Sequence, residues 1–196
     1  MRTVSIQSVC EEFKAAINGI QCYVAKCKQV FSEDKLFLSY GYENAVIMLY
    51  KSFERFVLRT MIACLNRDHS HCECKYSIKL GKHINDDVCE FLITKGGFFD
   101  FKGRSGLNKV LNDIIGTNHN IAKVFKSTAY KSTIDQLCAI RNYAAHNSAQ
   151  SKQAAMETLG LRRISSAGSC LKTQHRFESL TISLTSLADT IKATPM

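Results

Sequence analysis

YENAVIMLYKSFERFVLRTMIACLN, residues 42–66, is the stretch on which the fold turns. Val46, Leu49, Tyr50, Phe53, Val57, Met61 and Cys64 recur at steps of three and four, the spacing of one helical face. A helix with so long an apolar stripe must bury it against other elements. Working upstream, Ile6, Val9, Cys10, Phe13, Ile17, Ile20, Val24 and Cys27 repeat the same spacing and predict a helix over 5–30. Downstream, a short helix fits 105–115 with Ser105 as its cap. Further helices are expected over 132–147, 151–159 and 174–192, the last carried by Phe177, Leu180, Leu184, Leu187 and Ile191. The pattern is all-α: a single domain over residues 1–196, built as a helical bundle of about five to seven helices.

Residues 68–104 break the pattern. They are dense in His, Cys, Gly and Lys, and FLITKGGFFDF reads as two short apolar runs around Gly96–Gly97. A small irregular or hairpin-like insertion is expected there.

Composition narrows the function classes. At 45% apolar and 22% charged, the chain has material for a real core. The formal net charge of +9 favours a polyanionic partner such as RNA. No apolar run reaches the roughly 18 residues of a membrane span, so no membrane partner is expected. The N-terminus, MRTVSIQSVCEEF, lacks an apolar signal core. Nine dispersed cysteines, with Cys10, Cys64 and Cys138 on apolar stripes, read as free thiols of a cytoplasmic protein.

The chemistry concentrates in RNYAAH, residues 141–146, late in the helix over 132–147. Asn142 and His146 are four residues apart and share a helical face. Arg141 stands five residues before His146, within reach of a long side chain near a helix end. Arginine clamps a phosphate bidentately, histidine moves protons near neutral pH, and asparagine orients either. RNA cleavage by 2′-hydroxyl attack needs little else, and no metal or cofactor, because the nucleophile is a neighbour of the scissile phosphate. Ala144 and Ala145 leave room for another helix to approach. The bare Arg-x4-His spacing is common by composition. Asn in second place and a position late in an amphipathic helix make the match rarer. The competing reading is a helix C-terminus at which Arg and His interact with the dipole.

These residues resemble the hallmark of the HEPN superfamily, an Arg-x4–6-His motif commonly followed after the Arg by a polar residue such as Asn. Arg141, Asn142 and His146 occupy those positions. The resemblance extends to YENAVIMLYKSFERFVLRTMI, SKQAAMETLG and RFESLTISLTSLADTI, but not to the cysteine-rich segment. It implies a HEPN-like bundle that dimerises around the motif helices. It also implies a metal-independent endoribonuclease whose site is composed of the motifs of two copies. Family members of this kind are often toxins or antiphage defence effectors, so an antitoxin or defence-system protein is a further expected partner. The alternative within the resemblance is a catalytically inactive module that binds nucleotide, RNA or a protein.

Other residues stand out. Glu54 lies on the apolar side of its helix, where a carboxylate is costly unless paired. It either holds Arg141 or another motif residue from behind, or snorkels outward or pairs with Arg55 or Arg59. HSHCEC, residues 69–74, offers His69, His71, Cys72 and Cys74 as zinc ligands, with Cys89 or His83 as further ones. Its one-residue spacings are unlike structural zinc sites, so it is read as a loop and no metal is assigned. Lys95, Lys102 and Arg104, with Arg162 and Arg163, are candidate RNA contacts. Phe98, Phe99 and Phe101 are expected to pack into the bundle, and Lys126, Lys131 and Lys152 to be solvated surface.

Overall fold

The computed structural model describes residues 4–82 and 84–195, and these are helical with no β-strand among them. Helix α1 covers Ile6–Val30, with Ser5 as its cap accepting from the Ser8 amide. Helix α2 covers Lys35–Arg67. It starts two turns before the apolar stripe, because the Asp34 carboxylate accepts from the amides of Leu36 and Phe37. Then follow α3 (Ser70–Tyr76), α4 (Asp86–Thr94), α5 (Arg104–Ile114), α6 (Asn120–Lys126), α7 (Thr128–His146), α8 (Ala149–Leu159) and α9 (Ala167–Lys172). A 3-10 turn at Thr173–His175 leads into α10 (Arg176–Ala193).

Helix α2 is the centre of the bundle, packed against α1, α4, α7 and α9, while α10 closes the structure over α1 and α7. The seam between α1 and α2 is aromatic: Phe13 stacks on Phe56 with ring centroids 4.4 Å apart, and Phe53 leans on Phe125 of α6 at 6.5 Å. At the other end Tyr42 meets Phe177 of α10 edge-on at 5.7 Å. Each fully buried side chain of this size contributes about 1.5–3 kcal/mol from leaving water. Helix α9 comes close to α2 because Gly168 has no side chain. A β-carbon there would stand 1.9 Å from the Ser39 carbonyl oxygen.

The segment over 68–104 is not a hairpin. FLIT belongs to α4, which Asn85 caps by accepting from the Val88 amide, with Asp86 and Asp87 at the positive end of the dipole. Lys95 in the left-handed region ends the helix, and Gly96 at φ 78° continues the turn. HSHCEC is likewise not a loop: it is helical from Ser70 onward, with His69 at the cap position, and Cys72, Cys89 and Ile93 are buried in the main core. Two further short helices, α6 and α9, also lie outside the sequence expectation, so the bundle has more helices than five to seven. The cap of α5 is Gly103, two residues before Ser105. Of the three nearby phenylalanines, Phe101 is buried and Phe99 is partly covered, but Phe98 stands fully in solvent. No helix of the described residues is long and apolar enough to cross a membrane.

Candidate functional site

The motif occupies the last two turns of α7, and the chain stops the helix immediately after it. Asn147 adopts the left-handed conformation at φ 43°, its amide donating to the Tyr143 carbonyl. Ser148 and Ser151 then form a reciprocal capping box that starts α8. His146 is therefore left on an exposed terminal turn, with Asn142 exposed one turn earlier on the same face.

Arg141 points the other way, toward α2. Its guanidinium carbon lies 4.4 Å from the centroid of the buried Tyr50 ring, and its Nη1 donates to Asn142 Oδ1 at 2.9 Å. One face of the guanidinium is therefore covered and one donor is spent, while the group remains half-exposed at the bundle surface. The Tyr50 ring is in turn backed by Phe101, 5.7 Å away. Tyr50 is a functional candidate that the sequence reading placed only in the core. Its apolar position hid the fact that an aromatic face at the end of a helix stripe can still receive a cation.

Glu54, one turn beyond Tyr50 on α2, shares this neighbourhood. Burial pushes its carboxyl above the usual range, and the Arg141 charge is the largest opposing influence. Asp100 adds to the upward push, while contact with the Tyr50 hydroxyl and the charge of Lys51 lower it. Arg59 is not its partner, for it pairs with Glu12 of α1. Among the described residues no direct ion pair joins Glu54 to Arg141 and no hydrogen bond joins Arg141 to His146. Cys138, one turn before Arg141, is buried, and its thiol is pushed up to about 12 by desolvation.

The other candidate cations do not converge. Arg104 lines an open groove of about 590 Å³ that also contains Asn142, and its Nε donates to both oxygens of Asp135, at 2.9 and 3.1 Å. Lys95 is exposed with its ammonium 5.9 Å over Tyr76, and Lys102 is exposed in the left-handed region. Arg162 and Arg163 are exposed after α8, and Arg163 lines a separate depression with Arg176. In the cysteine-rich segment His71 Nε2 engages the Asn112 carbonyl oxygen at 3.0 Å, and His69 faces Glu73 at 4.0 Å. No three such side chains gather into a metal-holding group among the described residues, and His83 lies outside them.

Comparison with protein-family models, curated proteins and solved structures finds no match to this chain.

Proposed function

We propose that this protein is a metal-independent endoribonuclease of the HEPN type, acting through Arg141, Asn142 and His146 of two copies. The observation that carries the reading is the fixed guanidinium of Arg141, held against Tyr50 and Asn142, on a helix that ends in an exposed His146. A guanidinium stacked on one face keeps its edge donors available for a phosphate. In this reading His146 of one copy removes the proton from the 2′-hydroxyl. The oxygen attacks the adjacent phosphorus while Arg141 offsets the charge that develops on the phosphorane. His146 of the second copy gives a proton to the departing 5′-oxygen. The products are a 2′,3′-cyclic phosphate and a 5′-hydroxyl. Asn142 orients Arg141, and Glu54 acts behind it through its field. A toxin or antiphage role, with an antitoxin or defence-system protein as partner, is the biological setting that the resemblance suggests.

The test is digestion of tRNA and total RNA in EDTA by wild type, Arg141→Ala and His146→Ala, with end-group analysis of the products. Cyclic phosphate ends from wild type, and none from either variant, are expected. Full activity in His146→Ala overturns the assignment. Binding of RNA without any cleavage would assign the chain to the inactive, binding-module alternative.

A further inference from the structure

The groove that contains Asn142 extends well beyond the motif. It lies between α7, α8 and the start of α5, and its lining reaches from Thr128 and Lys131 at one end of α7 to Asn142 at the other. At 1.5 Å per residue that is a track about 21 Å long. Gly103, Ala139 and Ala154 make its walls shallow, so a chain-like ligand can lie along it without displacing a large side chain. Besides the Asn142 amide and the Cys138 thiol, its hydrogen-bond donors are cations and hydroxyls: Arg104, Lys131, Thr128, Ser132 and Thr158. The one acid, Asp135, is held by Nε of Arg104, which leaves the two terminal nitrogens of that arginine without a hydrogen-bond partner among the described residues. Among the described residues no aromatic side chain lines the groove. The volume of about 590 Å³ falls within the roughly 300–1,000 Å³ of ligand sites.

We propose that this groove binds the sugar–phosphate backbone of single-stranded RNA and leads it along α7 to Asn142 and Arg141. Donors without stacking partners read phosphate and sugar rather than bases, so recognition here is tolerant of sequence. A strand leaving the groove at Asn142 meets His146 one turn further along the same face, about 6 Å away. Each copy of the chain carries its own groove, so binding does not require the second copy, whereas the proposed cleavage does. The direction of the strand toward Arg141 rests on the nuclease reading; the binding does not.

The experiment measures binding of a fluorescein-labelled oligouridylate to the full chain carrying His146→Ala, in EDTA, across a salt series. Lys131→Glu and Thr158→Glu, both at exposed positions, are added one at a time, and Ala154→Trp fills the groove without changing charge. Each is expected to weaken binding at least about tenfold at an unchanged thermal midpoint, and Lys131→Glu to reduce the salt slope by about 1. Affinity equal to that of the parent in Lys131→Glu and Ala154→Trp overturns the groove, as does a parent that does not bind the oligouridylate. The two proposals separate cleanly. Cleavage by wild type with normal binding in the variants removes the groove alone. Loss of binding in the variants without any wild-type cleavage removes the nuclease reading alone.

Discussion

The guanidinium of Arg141 rests on the ring of Tyr50, 4.4 Å from its centroid, joining the end of α7 to the middle of α2. Tyr50 is buried and Arg141 is half-exposed, so a rigid part of the core sets the position of a charge at the surface. Holding a cation this way lowers the entropy lost when it meets a phosphate.

Tyr50→Phe keeps the aromatic face and is expected to keep RNA cleavage near the wild-type rate. Tyr50→Leu removes a stacking interaction of about 0.5–2 kcal/mol, which corresponds to a loss of roughly 2- to 30-fold in the rate of the step that Arg141 assists. Single-turnover cleavage measures it. Equal rates in the two variants would show that the ring does not position Arg141.

Glu54 should make stability depend on pH in an unusual direction. Its folded carboxyl binds a proton more tightly than the unfolded chain, whose value is the ordinary 4.5. Its stabilising contribution is thus fully present below 4.5 and is lost as pH rises through the raised folded value. Glu54→Gln stays neutral throughout and is expected to be more stable than wild type at neutral pH. The two should converge in acid. Urea unfolding between about pH 4 and pH 8 reads the difference. A variant less stable than wild type at neutral pH would mean that the attraction of Arg141 outweighs the burial cost.

Gly168→Ala should destabilise the fold with no change at the motif. The added carbon would meet the Ser39 carbonyl oxygen at 1.9 Å, and that oxygen belongs to the backbone of α2. Overpacking of this kind costs about 1–3 kcal/mol, with backbone contacts at the upper end. Chemical denaturation measures the loss, and wild-type stability in the variant would mean that α9 is free to shift.

The thiols should divide into two kinetic classes. Cys22 and Cys74 are exposed, whereas the other seven cysteines are buried. Burial pushes the thiols of Cys64 and Cys138 up to about 12, so little of the reactive thiolate form is present near neutrality. Titration of the native protein with an aromatic disulfide reagent is expected to give two fast thiols and seven that react only on unfolding. Substituting Cys22 and Cys74 by serine should abolish the fast phase.

Periodicity alone was enough to read α1, most of α2, α7 and α10, because each buries one continuous stripe whose spacing is written in the chain; α8 was also expected, although Ala155 is its one buried residue. Periodicity was not enough for α3, α4, α6 and α9. A helix of six to nine residues has too few turns to establish a period, and α4 depends on Asn85 at one end and Lys95 at the other. Helix starts were misjudged where the cap is a residue outside the stripe, as with Asp34, Gly103 and Ser127. Arg141, Asn142 and His146 could be singled out from their types and order, since proton transfer and phosphate binding depend on chemistry that a residue carries with it. The shelf under Arg141, the Arg104–Asp135 pair and the groove that contains Asn142 could not. They join residues separated by tens of positions, and such distances exist only once α2, α5, α7 and α8 have packed.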